Sequence, residues 1–165
     1  MTVATVYIGL GSNLNEPVNQ LDKAVAALDK IKNTQLLRVS SYYQSAPVGP
    51  DGQDDYINAV AQLETQLPAV VLLQQLQQIE NSQGRVRTEH WGARTLDLDM
   101  LLYDDSVIKT EKLTVPHPYI EQRNFVLLPL MEITSEEFKV PDKGALIDLL
   151  STCPDNPIEK MIRSS

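Results

Sequence analysis

The order in which strand-like and helix-like hydrophobic periods follow one another most restricts how this chain can fold. Residues 2–10 are β-branched and apolar, which predicts a first strand. Residues 18–28 then repeat apolar side chains at helical spacing, which predicts a helix that Asn15 caps and that reaches about Lys32. Residues 36–43 predict a second strand.

The same alternation continues through the middle of the chain. Residues 57–63 place apolar and polar side chains on opposite faces, as a half-buried strand does. A second helix is expected from Pro68 to about Gly84, and residues 96–103 predict a fourth strand. The order β-α-β-β-α-β is that of the split βαβ, or ferredoxin-like, plan.

The last part of the chain adds elements to this plan. Residues 107–115 predict a small hairpin, and residues 125–133 and 145–150 predict further helices. We therefore expect an α+β sandwich with these additions, folded as a single domain over residues 1–165.

Composition narrows the range of functions. The 165 residues carry 22 acidic and 14 basic side chains, a formal net charge of −8, which makes a nucleic-acid partner a poor match. No apolar run approaches the ~20 residues that span a bilayer, so no membrane association is expected. The single cysteine, Cys153, cannot form an internal disulfide, which favours a reducing compartment. We expect a cytoplasmic monomer.

The strongest chemical signal is the pair of carboxylates in the fourth predicted strand, Asp97 and Asp99. Alternate residues of a strand face the same side, about 6.6 to 7 Å apart, so the two side chains can converge on one space. Neighbouring anions repel, and a divalent cation is the usual relief. A half-buried strand with a solvated polar face explains the same pattern.

Basic segments lie on both sides of this strand. Residues 85–94 contain three arginines and a histidine, and residues 116–119 are followed by Arg123. Solvated loops would account for them, but basic groups beside paired carboxylates are also what holds a metal-bound polyphosphate. Leu14 stands where G-x-G-x-x-G needs its third glycine, and no phosphate-loop motif occurs. An ATP site would therefore rely on side chains and strand carboxylates.

The third predicted strand carries a pair of polar and aromatic side chains. Tyr56 and Asn58 have the same parity and project from the face opposite Ile57. A flat ring and an amide that both donates and accepts suit a planar heterocycle. In isolation, an edge aromatic residue and a polar residue at a strand start are the simpler interpretation.

Together these segments resemble the 6-hydroxymethyl-7,8-dihydropterin pyrophosphokinase family of folate biosynthesis. The resemblance covers about residues 3–130 and is carried, in order, by GLGSN, SSYYQSAPVGP, DDYINAV, GRVR, WGARTLDLDMLLY and LTVPHPYIEQRNFVLLPL. It implies a ferredoxin-like enzyme that uses two Mg²⁺ ions. Such an enzyme moves the β,γ-diphosphate of ATP to the hydroxymethyl group of the pterin and releases AMP.

The resemblance also implies roles for individual residues. Asp97 and Asp99 would bind the Mg²⁺ ions, and Arg85 and Arg94 would act with them in catalysis. The implied ATP contacts are Gln77, Glu80, Arg87, Trp91, Met100, Lys112, Thr114, His117, Tyr119 and Arg123. The implied pterin pocket is Ser45, Ala46, Val48, Tyr56, Asn58, Trp91 and Phe125, with Tyr56 and Phe125 on either side of the ring.

Two loops are expected to act as lids, and some of their residues depart from the family pattern. Loops 47–55 and 84–95 should close over bound substrates and exclude water. The departures are His90, where arginine or lysine is common, Ala46 and Ala93, which replace frequent prolines, and Lys112, where arginine is also seen. The charge of a histidine depends on pH, and a lysine lacks the planar fork of an arginine.

Three other functions remain open from the residues alone. A ferredoxin-like ligand-binding module without chemistry would not need paired carboxylates beside Arg94. An RNA-binding domain of this fold would need paired aromatic residues on its strands, and these are missing. A metal-dependent phosphohydrolase could share the aspartates. Formation of AMP only in the presence of the pterin would separate these functions.

Overall fold

The computed structural model describes residues 3–13, 16–46, 55–83 and 96–161. Its helices are α1 (Pro17–Leu28), α2 (Ala69–Ser82), α3 (Asn124–Ile133) and α4 (Leu146–Thr152), and Ile120–Gln122 forms one 3-10 turn. Its strands are β1 (Ala4–Ser12), β2 (Thr34–Val39), β3 (Tyr43–Ser45), β4 (Tyr56–Thr65), β5 (Asp97–Tyr103), β6 (Ile108–Lys109), β7 (Thr114–Val115), β8 (Lys139–Val140), β9 (Gly144–Ala145) and β10 (Ile158–Lys160).

A six-stranded antiparallel sheet organises these elements. The order along it is β10-β3-β4-β1-β5, and β2 pairs with the other half of β4. The fourth predicted strand thus lies beside the first, the first beside the third, and the third beside the second. This is the ferredoxin-like order, so the predicted fold class is confirmed. No helix of the described residues is both long enough and apolar enough to cross a membrane.

The second predicted strand is two strands rather than one. β2 and β3 both pair with β4 but are interrupted at Ser40, whose hydroxyl accepts the Val60 N–H at 2.9 Å. The main-chain N–H of Ser40 donates to the Val60 carbonyl at 2.9 Å. A side-chain oxygen therefore takes one hydrogen bond that a carbonyl of a continuous ladder would accept, and the strand breaks there.

The first helix ends earlier than predicted, and the C-terminal part holds more elements. α1 stops at Leu28 rather than near Lys32, and the chain turns into β2 through Asn33, which has a positive φ of 58°. The expected cap Asn15 lies outside the described residues. The hairpin of β6 and β7 and both C-terminal helices are confirmed, whereas β8, β9 and β10 were not predicted.

The sheet separates two hydrophobic cores. Helices α1 and α2 cover one face, with Leu21, Leu28, Leu72 and Leu76 against apolar residues of β1, β4 and β5. Helices α3 and α4 cover the other face, where Leu127, Leu130, Leu146 and Leu149 pack with Tyr7 and Val60.

For the C-terminal end of β5, the predicted side of the sheet is wrong. Leu98 and Met100 pack in the α1/α2 core as expected, but Leu102 lies in the α3/α4 core. The pairing explains this, because the register shifts between Ile8↔Met100 and Tyr7↔Leu102. An extra residue in one strand reverses the alternation beyond it.

Candidate functional site

A cavity of about 530 Å³ lies on the α3 side of the sheet, where β5, β1, β4 and β3 present neighbouring residues. The predicted site residues that line it are Ser45, Ala46, Tyr56, Asn58, Asp97, Asp99, Tyr119, Arg123 and Phe125. The two predicted clusters, carboxylates and polar-aromatic pair, therefore share one space.

The carboxylates enter this space from β5. Asp97 and Asp99 are half-buried, alternate with the buried Leu98, and both line the cavity. Across the ladder, Asp97 pairs with Gly11 and Asp99 pairs with Gly9. Because these partners have no side chains, β1 forms the floor of the cavity with main-chain atoms alone and leaves space beside both carboxylates.

Gly9 and Gly11 are not among the predicted site residues, although their segment, GLGSN, carries part of the family resemblance. A Cβ built on Gly9 would lie 3.3 Å from Cδ2 of Leu101, and one built on Gly11 would lie 3.2 Å from Oδ1 of Asn58. Both distances are tighter than ordinary van der Waals contact. Two alternate glycines inside an otherwise β-branched strand were the available signal of a close approach.

The opposite wall is built by β3 and β4. Asn58 is 6% exposed and Ser45 is 2% exposed, and Asn58 Nδ2 donates a hydrogen bond to Ser45 Oγ at 2.7 Å. Tyr56 is the register partner of Ser45 and also lines the cavity. The bond to Ser45 fixes the orientation of the Asn58 amide.

Arg123 and two aromatic rings form the rim. The guanidinium carbon of Arg123 lies 5.5 Å from the ring centroid of Tyr119 and 5.7 Å from that of Phe125. Phe125 is the second residue of α3, and Tyr119 is 53% exposed. Cation–π contacts at these distances hold the cation at the cavity mouth.

His117 stands just behind this rim. The Tyr119 N–H donates to Nδ1 of His117 at 3.2 Å, so the hydrogen of the neutral ring is on Nε2. Burial and the positive charge of Arg123 lower the pKa of His117 to about 4. At neutral pH this ring is therefore an uncharged donor.

Several predicted ATP contacts do not line the cavity. Glu80 is 5% exposed, and its Oε2 accepts the main-chain N–H of Leu98 at 2.8 Å. Leu98 is the residue between Asp97 and Asp99 in the sequence of β5. Met100 is 3% exposed within the α1/α2 core, so a nucleotide contact there would have to come from its main chain. The others are Gln77 on α2, Thr114 on β7, Lys112 before β7, and His117.

Other predicted site residues cannot be placed. Val48, Arg85, Arg87, Trp91 and Arg94 lie outside the described residues, as do most of the two predicted lids.

The C-terminal segment supplies a wall that the sequence did not predict. Pro154, Asp155 and Asn156 line the cavity, together with Gln122 and Val126. The segment leads into β10, which pairs with β3. Its three-residue strand has no periodicity long enough to be recognised.

The donor set fits Mg²⁺. Among the residues that the structure describes, no group of three or more His, Cys, Asp or Glu could hold a metal ion with protein ligands alone. A Mg²⁺ ion in a nucleotide site does not need such a group. Mg²⁺ in nucleotide sites is typically bound by one or two carboxylates and completed by substrate phosphates and water. Asp97 and Asp99 provide such a pair on one cavity wall.

The sequence matches known proteins along most of its length. Residues 7–135 match the family model of 7,8-dihydro-6-hydroxymethylpterin-pyrophosphokinase. A 2-amino-4-hydroxy-6-hydroxymethyldihydropteridine pyrophosphokinase from Haemophilus influenzae is 48% identical over 157 residues, 95% of this chain and 98% of that protein. The protein of the same name from Pseudomonas aeruginosa is 43% identical over 159 residues, 96% of this chain and 98% of that protein.

Solved structures agree on the fold. An HPPK-DHPS chain crystallised with substrates superposes with a TM-score of 0.70 at 11% identity, over 92% of this chain and 43% of that chain. Plasmodium falciparum HPPK-DHPS with pteroate gives 0.71 at 13% identity, over 91% and 42%. This chain spans less than half of those longer chains, and at such identities the likeness is one of fold. With the family match over residues 7–135, the chain belongs to the 7,8-dihydro-6-hydroxymethylpterin-pyrophosphokinase family.

Proposed function

We propose that this chain transfers the β,γ-diphosphate of ATP to the hydroxymethyl group of 6-hydroxymethyl-7,8-dihydropterin, a step of folate biosynthesis. The observation that carries the proposal is one cavity with paired carboxylates on one wall and an aromatic and amide pocket on the other. In the reaction, the hydroxymethyl oxygen forms a bond to the β-phosphorus. The bond between that phosphorus and the α,β-bridging oxygen breaks, the hydroxyl proton is lost, and AMP leaves.

The pterin would occupy the pocket formed by β3, β4 and the start of α3. Tyr56 and Phe125 would hold the flat ring, and the fixed amide of Asn58 would meet its hydrogen-bonding edge. Glycine at position 11 leaves the floor open between this pocket and Asp97. A ring bound there would direct its substituent along that floor toward the carboxylates.

The triphosphate would lie at the carboxylate end. Asp97 and Asp99 would hold two Mg²⁺ ions, which, when bound, supply neutralisation of the phosphate charge. Arg123 at the rim and the neutral Nε2–H of His117 would add donors from the chain itself. Arg85, Arg87, Trp91 and Arg94 remain proposed contacts to the triphosphate or the pterin, and loops 47–55 and 84–95 remain proposed lids.

The test is product formation by the purified protein. ATP, Mg²⁺ and the pterin together should give AMP and the pterin diphosphate, and ATP without the pterin should give neither AMP nor ADP. Hydrolysis of ATP without the pterin would instead support the phosphohydrolase alternative. Binding of both ligands without any AMP would support a module without chemistry.

Replacement of either carboxylate tests the metal assignment. Asp97→Ala and Asp99→Ala should each lower turnover by more than about tenfold, ~1.4 kcal/mol of barrier, because phosphate neutralisation would be lost. Far-ultraviolet circular dichroism should stay unchanged, since both side chains lie on a cavity wall. Activity that persists after removal of divalent cations, or in either variant, would contradict the assignment.

We also propose that the protein acts in the cytoplasm as a monomer. The single cysteine, Cys153, is compatible with a reducing compartment. Sedimentation at micromolar concentration would measure the oligomeric state, and a dimer would overturn that part of the proposal.

A further inference from the structure

The C-terminal segment contacts the pocket that we assign to the pterin. Pro154, Asp155 and Asn156 line the cavity, and β10 then extends the sheet beyond β3. In the register of that pairing, Ile158 lies opposite Ser45, the residue that accepts the amide hydrogen bond of Asn58. The segment therefore lies directly beside Ser45 and Ala46, two of the proposed pterin contacts.

Asn156 joins three parts of the chain at this point. Its Nδ2 donates to the Ala46 carbonyl at 3.2 Å, and its own main-chain carbonyl accepts Nδ2 of Asn124 at 2.9 Å. Ala46 follows the last residue of β3, and Asn124 is the first residue of α3, directly before Phe125. Asn156 therefore links the Ser45 side of the pocket to the Phe125 side.

We infer that Asn156 is a positioning residue that sets the separation of the two pocket walls for the pterin. This inference rests on the proposed pterin pocket. A planar ring held between two walls loses contact on one side when either wall moves, and displacements of about 1 Å are costly in a positioned site. Asn156 acts through Ala46 and Asn124 and is not assigned a contact to the reacting atoms.

The C-terminal segment is also anchored to β3 and its neighbours by main-chain hydrogen bonds, so its anchoring does not depend on the Asn156 side chain. The Ala46 N–H donates to the Pro157 carbonyl at 3.0 Å, and the Met161 N–H donates to the Tyr42 carbonyl at 2.8 Å. Neither bond uses the Asn156 side chain. Removal of that side chain should leave β10 paired with β3 while the link to the Ala46 carbonyl is lost.

The experiment compares Asn156→Ala with a control in the same strand. Glu159 is exposed and its register partner is the exposed Gln44, so Glu159→Ala changes β10 without touching the pocket. We expect Asn156→Ala to raise the KM for the pterin about 3- to 10-fold, the range of one neutral hydrogen bond, with the KM for ATP within about twofold of wild type. Glu159→Ala should change neither constant.

Two further variants guard against a loss of folding at position 156. Asn156→Asp keeps the size of the side chain but replaces the donor with an acceptor, and Asn124→Ala removes the donor on the α3 side. Both should show the same selective rise in the pterin KM, with thermal midpoints close to that of Glu159→Ala. An unchanged pterin KM in these variants, or equal losses for pterin and ATP, would overturn the inference.

A pocket variant separates this inference from the proposed function. Asn58→Ala should raise the pterin KM in any case if the pocket is assigned correctly. A rise in Asn58→Ala without one in Asn156→Ala would reject only the positioning role. No rise in either variant would reject the pocket assignment itself.

Discussion

At the scale of single residues, the floor of the cavity depends on the absence of a side chain at Gly11. A Cβ there would lie 3.2 Å from Oδ1 of Asn58, whose amide is already fixed by its bond to Ser45 Oγ at 2.7 Å. The amide cannot retreat without loss of that bond. A methyl group at position 11 therefore acts on the proposed pterin contact rather than on the general packing.

We expect Gly11→Ala to raise the KM for the pterin about 3- to 10-fold, as for loss of one hydrogen bond, while the KM for ATP changes little. Gly9→Ala is the matched control, because its Cβ would meet Cδ2 of Leu101 at 3.3 Å, an apolar contact away from Asn58. Steady-state kinetics of both variants measures the difference. Equal effects at the two positions would argue against a special role of the Gly11–Asn58 approach.

The second residue-scale prediction concerns the protonation of His117. Burial and the charge of Arg123 lower its pKa to about 4, below the ordinary 6.5, so the ring is neutral above that value and gains a proton only as the pH falls through it. The Tyr119 N–H on Nδ1 fixes the hydrogen on Nε2. Hydrogen bonding to ATP would then involve a neutral donor throughout the physiological range.

Nitrogen-15 NMR of the imidazole rings would measure this state. The chain has two histidines, so His90→Gln leaves the His117 signals alone in the spectrum. We expect them to titrate near pH 4 and to show the Nε2–H tautomer at pH 7. Titration near 6.5 would contradict the partly buried environment of the ring beside Arg123. An Nδ1–H tautomer would contradict the hydrogen bond from the Tyr119 N–H.

At the scale of elements, one carboxylate ties α3 to the sheet. Glu132 Oε1 accepts the Tyr43 hydroxyl at 2.7 Å, and Oε2 accepts the N–H and the hydroxyl of Ser41 at 2.8 and 2.9 Å. Dehydration alone would raise the pKa of Glu132, but these hydrogen bonds and the charge of Lys160 outweigh it and lower the pKa below its ordinary value. The bonds thus favour the ionised form in the folded state.

The sign of the pH dependence follows from this shift. Because the folded-state pKa is lowered, the stabilisation is present above the ordinary pKa of 4.5 and is lost as the pH falls through the folded value. We expect Glu132→Gln to lower the thermal midpoint at pH 7 by about 2 to 4 °C, near ~1 kcal/mol, and by less in acid. Glu137→Gln, on the exposed chain after α3, is the control. A midpoint difference that is the same at pH 7 and pH ~3 would contradict the role of the charge.

The elements differ in how far the sequence could predict them. Residues 57–63 and the stretch from Pro68 onward repeat a single period over many positions, and β4 and α2 formed there as expected. The side chain of Leu102 faces the unexpected core because its place depends on pairing with Tyr7, which is not encoded in the alternation of β5 itself. Local pattern predicts an element, and long-range pairing decides its irregularities.

At the scale of the whole molecule, the same distinction applies to the site. Strand parity alone placed Asp97 with Asp99, and Tyr56 with Asn58, on shared faces, and the sheet order then brought both pairs to one cavity. The wall around Asn156 could not be predicted, because it exists only through contacts with Ala46 and Asn124 far away in the sequence. The roles of the predicted ATP contacts remain predictions.

The sheet also divides the molecule into a side that carries the cavity and a side that does not. Leu127 of α3 and Leu21 of α1 are both fully buried, in the two cores on opposite faces. Truncation of either to alanine should cost about 2 to 5 kcal/mol of unfolding free energy through lost burial and a cavity. The two variants should therefore be similarly destabilised, although only α3 carries Phe125 and its neighbour Asn124.

Steady-state kinetics, measured below the thermal midpoints of both variants, should then separate the effect of the α3 side of the sheet from that of the α1 side. We expect Leu127→Ala to raise the KM for the pterin, because Phe125 packs against the core that Leu127 helps to form. Leu21→Ala should leave that constant within about twofold, well under 1 kcal/mol. Denaturant unfolding of each variant would verify that their stabilities are comparable. If the pterin KM rises equally in both variants, overall stability governs the pocket. If it rises only in Leu21→Ala, the pocket is supported from the opposite face of the sheet.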